Sequence, residues 1–279
     1  MNDADSPPIA GDSGDFLRSL YAEREGVRGV FSSKVTDYAA ARPGYPDALY
    51  DALRELGALP AVPSTVADLG AGTGLFSQGL LARGHQVLAV EPNAAMRSAA
   101  HAFLHSYAGY RGIDGSAEAT TLEDESVDLV TVAQAFHWFE IEPTRRECLR
   151  ILRPEGKVAL IWNDRLLADP LQKDIEAIFA EFGGAARQAL AAHESRHDVP
   201  RFFHGAATAS VDLPHEHLLD RAGLQSVVFS RSYMPPRQSE AGCEAAARVD
   251  EAFDKHAVSD RVTMRYRTVA AIGRPVALT

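Results

Sequence analysis

The chain has 279 residues, 46% of them hydrophobic, and 28 Lys and Arg against 38 Asp and Glu give a formal net charge of −10. That apolar share is enough for a sizeable core, while the acidic balance argues against a nucleic-acid surface, which needs a basic stripe to follow phosphates. No apolar run approaches the roughly 20 residues that span a bilayer, so no membrane partner is expected either.

Residues 1–15 are rich in Asp, Pro and Gly and lack the basic and apolar regions of a secretory signal, so they read as a disordered tail. Only two cysteines occur, Cys148 and Cys243, far apart, which fits reduced thiols and a cytoplasmic location. Residues 16–60 read as a helical cap with a break at Arg42-Pro43-Gly44-Tyr45-Pro46. From there apolar runs alternate with helical patterns. Strand 65–69 leads to a helix over 74–83, strand 86–90 to a helix over 93–104, and a short strand fits 109–113. Residues 127–133 form a continuous apolar run, as expected of a parallel strand buried on both faces. A helix over 142–152 closes at Arg153-Pro154-Glu155-Gly156, before a strand over 157–162. Segment 164–212 carries helical stretches and no strand-like run, and reads as a substrate-covering insertion. The order resumes with a helix over 214–222, a strand over 224–233, a helix over 240–256 and a strand over 261–271. Such alternation predicts an α/β fold with a doubly wound, mostly parallel sheet over 16–279, its ligand at the carboxyl ends of the strands.

The chemistry concentrates at those ends. Asp68-Leu69-Gly70-Ala71-Gly72-Thr73-Gly74 turns a strand sharply into a helix. Glycine takes positive φ there and lets backbone N–H groups approach a ligand closely. Leu75 stands where a dinucleotide fingerprint needs glycine, and no G-K-[ST] follows, so neither that motif nor a Walker A loop fits. Glu91 ends the next strand about 20 residues on, placed to accept from both hydroxyls of a ribose. An adenosine-containing cofactor is the reading. Ala133-Gln134-Ala135-Phe136-His137-Trp138-Phe139 ends another strand, with aromatic faces that suit a cation and a histidine able to act as general base. His137 bonded only to backbone is the alternative. Trp162-Asn163-Asp164-Arg165 ends the next strand, suited to orienting a polar substrate or simply solvated. His101/His105 and His193/His197 have i, i+4 spacing but lack the H-E-x-x-H pattern, so no metal is expected.

The Arg-Pro-Gly-Tyr-Pro turn, Asp-Leu-Gly-Ala-Gly-Thr-Gly, Val-Glu-Pro-Asn, Ala-Gln-Ala-Phe-His-Trp-Phe and Leu-Arg-Pro-Glu-Gly together resemble class I S-adenosylmethionine (SAM) methyltransferases, in particular the family that includes trans-aconitate methyltransferases. Tyr266-Arg267-Thr268 also looks like that family's last strand. The resemblance implies a Rossmann-like, seven-stranded sheet, SAM as cofactor and a small-molecule acceptor. It implies cofactor contacts from Asp68, Gly70, Ala71, Gly72, Thr73 and Gly74, then from Glu91, Pro92, Asn93 and Met96. Ser116, Ala117 and Glu118 would line the adenine, with Ala133, Gln134, Ala135 and Trp138 completing the pocket. Arg42 would hold the methionyl carboxylate, unless it stacks on Tyr45. The catalytic candidates are His137, Asn163 and Tyr38. Methyl transfer is the expected reaction. The alternatives are closure of the cofactor's own amine to azetidine-2-carboxylate, releasing methylthioadenosine, and a fold that binds SAM without turnover.

Overall fold

The computed structural model describes residues 42–193, 196, 198–206 and 208–277. The expected tail, most of the expected cap, Tyr38 and His197 lie outside the described residues.

Chain order follows from local signals. Helix α1 (Asp47–Glu55) starts directly after Pro46, in the break foreseen at 42–46. Strand β1 (Thr65–Leu69) runs through the glycine turn into α2 (Leu75–Ala82), and β2 (Gln86–Val90) leads to α3 (Ala94–Leu104). The Asn93 side chain caps α3 by accepting from the amides of Ala95 and Met96 at 2.9 and 3.1 Å. After β3 (Tyr110–Ile113) and β4 (Val127–Ala133), a 3₁₀ turn (Phe136–Trp138) precedes α4 (Ile141–Ile151) and β5 (Leu152–Arg165). Then come α5 (Pro170–Phe182), α6 (Gly184–His193), α7 (Asp198–Phe203), β6 (Ala209–Leu219), α8 (Arg221–Phe229), α9 (Glu240–His256) and β7 (Val262–Gly273).

The seven strands form one sheet in the order β3-β2-β1-β4-β5-β7-β6. The pairings from β3 to β5 are parallel, and β7 is antiparallel to both β5 and β6. This is the α/β, mostly parallel arrangement that the alternation predicts. Parallel strands bring their carboxyl ends to one edge, where the reversal of order between β1 and β4 opens a crevice. Side chains alternate between two apolar layers. Val66, Val87, Leu129 and Ile161 face α1 and α2, while Leu69, Val130, Val132 and Leu160 face α4 and α7. A third cluster packs α5, α8 and α9 over the far ends of β6 and β7, with Phe179, Phe229, Phe253 and Tyr266 at its centre.

Two sequence expectations change. The helix expected at 214–222 and the strand at 224–233 are reversed, since β6 occupies 209–219 and α8 occupies 221–229. Val211, Leu213, His215, His217 and Leu219 alternate with exposed residues, a period of two that Pro214 and two histidines disguise. Pro214 is tolerated because β6 pairs with β7 alone and is an edge strand. In α8, Leu224, Val227 and Val228 are buried at i, i+3, i+4, and Asp220 caps the helix by accepting from the Gly223 amide at 2.8 Å. Residues 164–212 likewise do not lack strand: β5 extends to Arg165 and β6 begins at Ala209, leaving the three helices α5 to α7 between them.

Candidate active site

The glycine turn is held against β2. The amides of Gly70 and Ala71 both donate to the Val90 carbonyl, at 2.9 and 3.1 Å. Gly70 has φ +67°, and a Cβ on it would lie 2.7 Å from that of Ala135 and 3.1 Å from the Phe139 ring. Only glycine fits there. That close approach also joins the turn to the segment after β4. Inside the turn, Asp68 is enclosed. Its two oxygens accept from the hydroxyls of Ser77 at 2.7 Å and Thr131 at 2.8 Å, and burial pushes its carboxyl up to about 6. Asp68 therefore ties β1 to α2 and β4 and shapes the turn from behind.

Glu91, half-buried, is fixed at both oxygens: one accepts from the Gly72 amide at 3.0 Å, the other from the Asn93 amide at 2.9 Å. A carboxylate accepting at both oxygens is the chemistry that a ribose diol needs. Arg97 donates to the Glu91 carbonyl at 2.8 Å and pairs with Asp114 at 2.9 Å, which steadies this corner. Met96 is buried under the start of α3, and Pro92 sits half-buried between Glu91 and the cap. Ser116 and Ala119 close a tight turn that leaves Ala117 buried, while the Glu118 carboxylate accepts from the Glu140 amide at 3.1 Å, at the entry to α4. A rigid carboxylate, a glycine turn and a small-residue wall fit an adenosine moiety.

The segment after β4 forms the second half of the site. Gln134 has φ +60°, its amide donates to Ile161 at 2.9 Å, and its side chain donates to the Asn163 carbonyl at 3.3 Å. Its position turns His137 into a cavity of about 400 Å³ walled by Phe136, Phe139 and Trp162. Ala133 and Ala135 lie beside it; Trp138 is outside the cavity lining, its ring 4.9 Å from that of His137. Asn163 reaches the cavity, but its amide is occupied, donating to the Gly44 carbonyl at 3.0 Å and accepting from the Thr268 hydroxyl at 2.6 Å. One of its two N–H donors and its oxygen therefore clamp the Arg42–Tyr45 turn to β7. Arg42 is part-exposed at the start of that turn. Thr73 and Gly74 are buried beneath the α2 start.

Sequence reasoning missed Arg196, Asp198, Arg231 and Tyr233, which line the same cavity. Arg196 packs its guanidinium 4.6 Å from the centre of the Trp162 ring and pairs with Asp164. Arg231 and Tyr233 follow α8, in the stretch misread as a strand. No local pattern marks them.

A model of the methyltransferase domain matches residues 67–160. An uncharacterized methyltransferase of Mycobacterium tuberculosis is 32% identical over 244 residues, covering 86% of this chain and 93% of that protein. Malonyl-[acyl-carrier protein] O-methyltransferase of Methylococcus capsulatus is 38% identical over 125 residues, 43% of this chain and 44% of its own length. Among solved structures, a type II methyltransferase candidate from Anaeromyxobacter dehalogenans superposes with a TM-score of 0.55 at 24% identity, over 86% of this chain and all of that one. That likeness shows a shared fold. With relatedness spanning nearly the whole mycobacterial protein and a glycine turn facing a fixed carboxylate, the chain belongs to the class I SAM-dependent methyltransferases.

Proposed function

We propose that the chain transfers a methyl group from SAM to a small molecule held in the cavity between the β4 end, the β5 end and the helices of the 164–212 segment. The carrying observation is that the cavity begins where the glycine turn ends: Phe139 lines the one and lies against Gly70 of the other. The cofactor, when bound, supplies an electrophilic methyl on a sulfonium. The chain's own part is placement. Glu91 and the amides of the turn fix one end of the site, and the cavity holds an acceptor atom in line at about 3–3.5 Å. Phe136, Phe139 and Trp162 exclude water, and their ring faces favour a nearby cation. For a hydroxyl, amine or carbon acceptor, His137 would take the proton, whereas a carboxylate acceptor needs no base. The name of the Methylococcus relative supports a small acyl acceptor, and α5 to α7 would select it.

Incubating the purified chain with methyl-labelled SAM and a panel of small acids, phenols and amines tests this by mass spectrometry. S-adenosylhomocysteine appearing only with an acceptor is expected. Methylthioadenosine forming from SAM alone, faster than without enzyme, would replace transfer by self-cyclisation.

A further inference from the structure

The cavity is chemically polarised along its length. At the His137 end its walls are aromatic. At the other end stand Arg165, Arg231 and Tyr233. Arg165 lies four residues past Ile161, the β5 partner of Ala133, hence on the order of 13 Å farther along the strand. Arg165 and Arg231 share one aromatic floor, their guanidiniums 4.8 and 5.8 Å from the centre of the Phe179 ring. Both also act electrostatically on the buried Tyr266 hydroxyl, as does Arg42. Arg165 pairs with Glu176, which is shared with Arg187, and also donates to the Gln172 side chain at 3.5 Å. The two carboxylates in the cavity lining, Asp164 and Asp198, pair with Arg196 and Arg201. Like charges gathered over one ring repel each other, and a chain of net charge −10 has no general excess of cations to place there. Each guanidinium is itself a planar fork, the geometry that takes a carboxylate through two hydrogen bonds, and the ring supports it from below.

We infer that Arg231 and Arg165 form a carboxylate-binding subsite, so that the acceptor is an organic acid whose carboxylate is gripped at the end of the cavity remote from the glycine turn. This rests on the methyltransferase reading for what the cavity is, but not for whether it binds anions. The carboxylate held there is a handle. Its lone pairs are engaged by cations, which lowers its own nucleophilicity, and the apolar body of the acid runs along Phe136 and Trp162 toward His137.

The test is calorimetric titration of the full chain, with and without S-adenosylhomocysteine, using 4-hydroxycinnamate and phenylacetate and the primary amide of each. We expect at least one acid to bind about tenfold or more tightly than its amide. Arg231→Gln should erase that preference, and Arg231→Lys should retain part of it. S-adenosylhomocysteine affinity should be the same in all three proteins, which also shows that the variants fold. Equal binding of acid and amide, no binding of either acid up to about 5 mM, or an acid preference that survives Arg231→Gln would each overturn the subsite. Failure of the chain to bind S-adenosylhomocysteine would count against the methyltransferase reading alone, because the acid and amide titrations without it still report on the anion site.

Discussion

Single residues near the turn divide into those that face the ligand and those that hold the turn in shape. On the proposed reading Glu91 is of the first kind. Replacing it by Ala removes the proposed ribose acceptor and two backbone anchors, a loss of about 1–3 kcal/mol, or roughly five- to 150-fold in affinity. Calorimetry with SAM measures it, and unchanged binding would remove Glu91 from the site. Asp68 is of the second kind and has a pH signature. Its carboxyl titrates at about 6 in the fold, because burial outweighs the hydrogen bonds from Ser77 and Thr131, whereas an unfolded Asp titrates near 3.9. Between those values the folded state binds more protons than the unfolded one, so this group's contribution to stability falls as pH rises through the window and the loss is complete above about 6. The cost is on the order of 3 kcal/mol. Asp68→Asn, which cannot ionise, should therefore gain on the native protein by up to that amount between about pH 4 and pH 7. Urea unfolding at both ends of the range reads the difference; a constant difference would mean that Asp68 ionises normally.

At the scale of elements, α1 is the part of the amino-terminal region that the structure describes packed on the sheet, and its contact with α2 depends on a missing side chain. Tyr50 stacks on Phe76 with centroids 5.4 Å apart, and Arg83 lies 4.0 Å over the Tyr50 ring while pairing with Asp47 at 2.6 Å. A Cβ on Gly79 would fall 2.0 Å from the Tyr50 hydroxyl oxygen and 2.3 Å from the ring carbon bearing it. Helix propensity alone would make Gly79→Ala stabilising by about 1 kcal/mol. Overpacking a ring already fixed between Phe76 and Arg83 costs about 1–3 kcal/mol, so the net effect should be destabilising, and Tyr50→Phe should relieve part of it. Thermal unfolding of the single and double variants decides the sign. The same scale explains the reversal of β6 and α8. Val227-Val228-Phe229 is β-branched and aromatic enough to read as a strand, yet it is helical because α8 buries Leu224, Val227 and Val228 against the cluster shared with α9. Propensity lost to packing.

For the whole molecule, the site draws on widely separated pieces of chain: the turn at 70–74, the β4 end at 134–139, the β5 end at 162–165, Arg196 and Asp198 before and at α7, and Arg231 and Tyr233 after α8. Ligand binding should therefore stabilise the fold as a unit. S-adenosylhomocysteine at about 100 times its dissociation constant should add about 2.7 kcal/mol, raising the melting temperature by roughly 5–10 °C. Differential scanning calorimetry checks this, and an unmoved transition at saturating ligand would contradict the cofactor assignment.

The sequence alone determined the unit proposed to hold the cofactor. Gly70 to Gly74 and Glu91 belong to one βαβ unit, whose strands and helices are specified by hydrophobic periods within a few residues of one another, and the turn's shape follows from glycine's freedom at positive φ. Chain alternation likewise made the mostly parallel sheet legible before any contact was known. The acceptor half is different. Arg231 joins Arg165 over the Phe179 ring because α8 and α9 pack with α5 beside the antiparallel β6 and β7, and Arg196 reaches Trp162 from the segment between α6 and α7. Neither residue has a local signal, since an arginine in a turn looks the same in sequence whether it faces water or a cavity. Asn163 shows the converse: its place at a strand end suggested a group orienting a substrate or simply solvated, and only the tertiary contacts reveal that one N–H and the oxygen are engaged by Gly44 and Thr268. Local periodicity encodes elements, but which polar groups converge depends on packing between segments more than a hundred residues apart, and that is decided in three dimensions.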